Sequence, residues 1–141
     1  MLQLKIMIES FTLNRAVFGL RMALGAIFLW FGALKIFGYN PVFEIIYASF
    51  PFLAEGFGFF LLGVLETIIG VGLIFKLFPV LVHVALIGHL LGTLSVFFLG
   101  PSLMFNPYFP VLSLSGEFVF KNVALLMAGF VILKYNEKYR K

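Results

Sequence analysis

The chain has 141 residues, 62% of them hydrophobic and only 11% charged, with a formal net charge of +4 and no cysteine. Its mean hydropathy is +1.12. A soluble domain runs at roughly 45–50% apolar and about 25% charged, so this composition excludes an ordinary water-soluble fold, and the absence of thiols excludes disulfides, thiolate ligation and thiol exchange.

The length allows one unit, a single domain over 1–141. Crossing a hydrocarbon core of about 30 Å takes roughly 20 helical residues. Four apolar runs of that size predict an all-α membrane protein, a four-transmembrane-helix bundle with spans at 16–37, 57–75, 78–99 and 117–133. A β-barrel would show short alternating segments instead. The stretch 2–13 reads as an amphipathic segment lying in the interface. Although Lys5, Arg15 and Arg21 stand ahead of and at the start of the first run like the charged start of a secretory signal, the run is too long and lacks a cleavage site, which makes it a span.

Lysine and arginine set the orientation. Lys5 and Arg15 precede the first span, Lys76 joins the second to the third, and Lys134, Lys138, Arg140 and Lys141 follow the fourth, whereas the connections 38–56 and 100–116 hold neither residue type. By the positive-inside rule both termini are cytoplasmic. The charge is therefore topological, and the partner it implies is the bilayer, with no nucleic acid.

The two outer connections are aromatic. In the first, Asn40 and Pro41 read as an N-cap and first helical residue, followed by Phe43, Ile46, Tyr47 and Phe50 at helical spacing, which predicts a short interfacial helix. In the second, Pro101, Pro107 and Pro110 forbid a regular helix, and Phe105, Tyr108 and Phe109 suit the interface. Together they would roof the bundle on its outer side.

Each ionisable group within a span costs about 2.5–3.5 kcal/mol on insertion scales and so asks for a partner or a purpose. On the first helix Arg21, Gly25, Phe28, Gly32 and Lys35 form one stripe, which must face protein. On the second, Gly56, Gly63 and Gly70 recur by sevens with Glu66 on the same face. The third carries the small-residue pair Gly88 and Gly92 beside His89, Thr93 and Ser95; the fourth carries Glu117 and Lys121 one turn apart. Helical rise puts Glu66 and His89 at about 14–15 Å from the outer boundary and Lys35 and Lys121 within about 3–6 Å of it. Two readings stay open for Glu66: a satisfied pair with Lys35, Lys121 or His89 that fixes packing, or the carboxylate of a polar pocket. Arg21 and Lys35 taken singly are expected to snorkel to an interface, and His83 to serve packing. His83 and His89, six apart and without Cys or Asp, do not make a metal site. No phosphate-binding, dinucleotide or nucleophile motif is present, so no catalytic residue is assigned.

The run RMALGAIFLWFGALK at 21–35 resembles the first helix of the DoxX-like membrane proteins, GVLETIIG at 63–70 is similar to their second, and GTLS at 92–95 followed by FVFKN at 118–122 resembles their third-to-fourth connection. The nearest branch is that of the reactive-chlorine-resistance inner-membrane proteins, although Asn40 stands where that branch carries an acidic residue. The resemblance implies a multi-pass protein of a prokaryotic cytoplasmic membrane, tied to quinone-coupled or oxidative-stress chemistry. Without cysteine, redox work requires a quinone or a partner subunit. The leading expectation is a ligand pocket built from Lys35, Glu66, His89 and Lys121, with Arg21 and Glu117 as structural polar residues, taking a quinone-like or small amphipathic molecule. The alternatives are a proton-linked transporter or channel lined by Glu66 and His89, and a non-catalytic assembly or chaperone protein whose exposed Gly-rich stripes contact another membrane protein; a membrane or redox partner subunit and a second copy of the chain are the further partners expected.

Overall fold

The computed structural model describes residues 1–138; Arg140 and Lys141, counted above with the basic tail, lie outside the described residues. The fold is all-helical. Four helices are long and apolar enough to cross a membrane, spanning Leu2–Ile36, Gly56–Phe75, Pro79–Leu99 and Leu114–Asn136. The chain is a multi-pass membrane protein.

The first helix, α1 (Leu2–Ile36), has 35 residues and is roughly 52 Å long at about 1.5 Å per residue. It replaces the separate interfacial segment expected at 2–13. Residues 1–18 contain neither Gly nor Pro, so nothing breaks the helix, and its first turns stand clear of the bundle with Leu4, Ile6, Met7 and Phe11 exposed. A short helix α2 (Phe43–Ser49) and a 3-10 turn at Pro51–Leu53 lead into α3 (Gly56–Phe75). Asn40 does not cap α2, whose N-cap is Val42; its Nδ2 instead donates to the Ala54 carbonyl at 2.8 Å and clamps the connection shut.

Helix α3 ends at Lys76, which adopts the left-handed conformation at φ 55° and caps the helix by donating to Gly72. After a tight connection, Pro79 opens α4 (Pro79–Leu94) at its first turn, where its missing N–H costs nothing. Near the end of α4, Thr93 and Ser95 donate their hydroxyls back to the His89 and Gly92 carbonyls. Such back-bonding bends helices, and here the span continues after Ser95 as α5 (Val96–Leu99).

The second outer connection is folded, not merely irregular. A single turn, α6 (Pro101–Met104), is followed by a bridge between Phe105 and Leu112. Ser113 then accepts from the Gly116 N–H at 3.0 Å and caps α7 (Leu114–Phe120), which starts three residues before the expected fourth span. A break at Lys121 separates α7 from α8 (Asn122–Lys138).

Two apolar clusters hold this together. One, through the centre of the bundle, joins Val17, Leu24, Phe28, Ile69, Leu73, Leu86, Leu90 and Ile132. The other joins Ile45, Val96, Met104 and Val119 and fastens the two aromatic connections to each other. Most exposed side chains are large and apolar, including Trp30, Ile68, Leu81, Val84 and Phe98. On a protein without a membrane such a surface would aggregate, and around a bundle of spans it meets acyl chains.

Candidate functional site

The site begins with the contact between α1 and α3, the most extensive pairing in the fold. A Cβ on Gly70 would strike the backbone of Leu29 and Gly25, one on Gly32 the backbone of Thr67 and Gly63, and one on Gly63 the Gly32 carbonyl and the Ile36 amide at 3.0 Å. The helices therefore meet backbone to backbone, as small residues permit in membranes. Gly63 also leaves room for the Lys35 stem, which lies against it. The consequence is that Lys35 does not snorkel outward. It is buried, and its Nζ donates to Glu66 Oε2 at 2.7 Å.

The second carboxylate oxygen faces α4. His89 Nε2 lies 3.1 Å from Glu66 Oε1, and the Phe28 ring meets the imidazole edge-on at 5.4 Å between centroids. Glu66 is 4% exposed and Lys35 7%. One carboxylate is thus held between two nitrogen groups from two other helices, in surroundings where an unpaired charge would be strongly disfavoured.

This trio forms one wall of a cavity of about 480 Å³ between α1, α2, α4 and the α7–α8 break. Phe31, Val42, Ile45 and Phe118 supply apolar wall, while Tyr39, Glu117, Lys121 and Asn122 also line it. Lys121 thus faces the same space as Glu66, yet no ion pair joins them among the described residues. Glu117 and Lys121 are both exposed. Sequence spacing pointed to Lys35, Glu66, His89 and Lys121; it did not single out Tyr39 or Asn122. Tyr39 follows a glycine in left-handed conformation, and Asn122 opens α8 after the break, and neither feature has a periodicity to betray it.

Arg21 stands apart from the cavity. It is buried rather than snorkelling, and its Nη1 donates to the Leu73 and Ile74 carbonyls in the last turn of α3. A cation at a helix C-terminus satisfies carbonyls that have no intrahelical partner and sits at the favourable end of the helix dipole. His83 is also buried, its Nδ1–H donating to the Pro79 carbonyl.

Two small-residue expectations need correction. Gly56 belongs to no close-packed face: it opens α3 at φ +58° with open space beside it. Gly88 and Gly92 do not form a helix contact either, for a Cβ on Gly88 would meet nothing and one on Gly92 only the Phe50 ring at 3.8 Å.

No family model, curated protein or solved structure matches this chain. The chemistry must be read from the site. No group of three or more metal-ligating side chains occurs among the described residues. What the arrangement offers is a mostly apolar chamber of small-molecule size with a few polar groups in its lining, the usual character of a binding pocket. Lys35 has three N–H donors and uses one on Glu66, so the others can serve an acceptor in the cavity.

Proposed function

We propose that the chain is a DoxX-like membrane subunit of a redox or oxidative-stress system, and that it binds a quinone-like or similar small amphipathic molecule beside Glu66. The observation that carries this reading is the Glu66 carboxylate held by Lys35 and His89 on the wall of a largely apolar 480 Å³ cavity. A quinone ring suits such a chamber: its faces are apolar, and its carbonyl oxygens accept hydrogen bonds from ammonium, imidazole or amide donors. Lys121 and Asn122 would meet the far side of the head group. With both termini cytoplasmic, as the lysine and arginine distribution favours, the cavity lies in the outer half of the membrane, beneath the aromatic connections.

The test is titration of a methyl-substituted benzoquinone into the purified chain in nanodiscs, read by tryptophan quenching or calorimetry. Glu66→Gln, measured on the folded fraction, should weaken binding by about tenfold or more, because the positions of both Lys35 and His89 depend on the carboxylate. Unchanged affinity, or no binding to the parent chain, overturns the proposal. The contact between His89 and Glu66 also favours a second reading, a proton-linked path. A pH-sensitive dye trapped in liposomes separates the two: a path carries protons when a gradient is imposed, and a binding subunit does not.

A further inference from the structure

A second cavity, of about 330 Å³, lies behind the first. It is bounded by α2, the 3-10 turn, α3 and α4, and Ile45, Ile46, Leu62, His89 and Thr93 line both chambers. His89 therefore stands where the two meet. From there the second chamber runs to Leu65, Gly88 and Gly92 under the edge-on pair Phe50 and Phe52.

Its outer end is at the side of the bundle. Leu65 and Gly88 are exposed, and they adjoin Glu66 and His89 in sequence, so the chamber reaches the side of the bundle at the depth of the buried carboxylate, while exposed Phe52 lines it at the outer connection. At that depth the surroundings of a multi-pass protein are acyl chains. The lining of this chamber is apolar apart from Ser49, His89 and Thr93, and the hydroxyls of Ser49 and Thr93 are turned back onto their own helices, at the Ile45 and His89 carbonyls. Nothing there would hold a polar group once His89 is engaged. The absence of side chains at Gly88 and Gly92 keeps the passage open, since neither glycine is needed for helix contact.

We infer that this chamber is the tail subsite and lateral doorway of the site: a ligand with its polar head beside Glu66 and His89 lays its hydrocarbon tail between α3 and α4 and out to the lipid. The inference rests on the proposed function and adds the ligand's shape. It predicts a single-headed molecule with a linear apolar tail that arrives through the bilayer and not through water.

A benzoquinone with a diazirine at the end of a decyl chain tests it, on the full chain in phosphatidylcholine nanodiscs. Photolysis should label Leu65 or residues 88–93, and an excess of methyl-substituted benzoquinone should suppress that labelling by displacing the head. Gly92→Leu, which fills the chamber against no backbone, should weaken the decyl compound by about tenfold or more while changing the methyl compound by less than about twofold. Labelling confined to residues 114–125 would overturn the tail assignment and leave the head site standing. Labelling at 88–93 that the methyl compound cannot displace would also overturn it, since ordinary lipid chains would then fill the chamber. If neither compound binds the parent chain, the proposed function and this inference fall together.

Discussion

Removing both charges of the Lys35–Glu66 pair should harm the fold less than the two single removals would if summed. At 2.7 Å the pair's attraction is about 6 kcal/mol at an effective dielectric of about 20, before desolvation is subtracted. Lys35→Met leaves Glu66 with His89 alone, and Glu66→Gln leaves a buried ammonium facing an amide; breaking a buried pair from one side costs about 3–5 kcal/mol. The contact with His89 softens the first loss and moves it toward the lower end. In Lys35→Met/Glu66→Gln no full charge of the pair remains, and Met fills the volume of the lysine stem over Gly63. The expected coupling energy is about 2–3 kcal/mol, within the range found for neighbouring residues in one network. Unfolding the four proteins in mixed micelles with increasing SDS gives it directly. A coupling below about 0.5 kcal/mol, that is, additive effects, would show that water or lipid headgroups screen the pair and that its burial does not govern the site.

Other consequences are simpler to read. Gly70→Leu should abolish the folded bundle or cost more than about 3 kcal/mol, because the new side chain meets the backbone of Leu29 and Gly25, whereas Gly88→Ala should stay within about 0.5 kcal/mol of the parent by the same unfolding assay. Arg21→Met should destabilise by about 3–6 kcal/mol through two lost charge-assisted hydrogen bonds, and Arg21→Lys should recover only part of that, because the shorter ammonium stem reaches the two carbonyls less well than Nη1 does. Ser113→Ala should cost about 1 kcal/mol or slightly more, since the hydroxyl both caps α7 and donates to the Leu103 carbonyl, and hydrogen exchange should localise the loss to residues 103–120.

The spans were legible because hydrocarbon imposes one requirement on every residue it touches, and a long apolar run satisfies it in only one way. The convergence of Lys35, Glu66 and His89 was legible for a related reason. A charge at that depth must face protein, and the offsets from Gly32 and Gly63 said which face of the first two helices that was, although Lys35 taken singly was expected to snorkel. The small residues alone were less informative. Gly63 and Gly70 mark a helix contact, while Gly88 and Gly92, with the same spacing logic, face a cavity; a missing side chain permits approach by a backbone or by a ligand, and the sequence does not distinguish them. Asn40 misled because a side-chain amide next to proline serves a helix start well, but the Ala54 carbonyl across the connection is the partner it found. The length of α1 was hidden for the opposite reason. Lys5, Glu9 and Arg15 lower the hydropathy of the first turns without lowering their helix propensity, so a scan for membrane spans stops where the helix does not.

Charge balance narrows what the proposed cavity would accept. Lys35 and Glu66 neutralise each other, so the buried wall presents donors without a net charge from the pair. An anionic head group placed against Lys35 would compete with Glu66 for it and, unless met by Lys121 across the cavity, leave one of the two carboxylates uncompensated, at a cost that a membrane interior makes severe. A cationic one would displace Lys35 and strand its ammonium. A neutral acceptor avoids both penalties, because it takes the donors that Glu66 leaves unused and disturbs no existing pair. Lys35→Met should accordingly weaken a neutral quinone only by about the worth of one hydrogen bond to a charged donor, roughly 1.5–3 kcal/mol, or about ten- to a hundredfold in affinity. If Lys35→Met instead turned a non-binding carboxylate analogue into a ligand, Glu66 would no longer be the group that sets the charge of the cavity, and the preference for neutral molecules argued from the pair would be wrong.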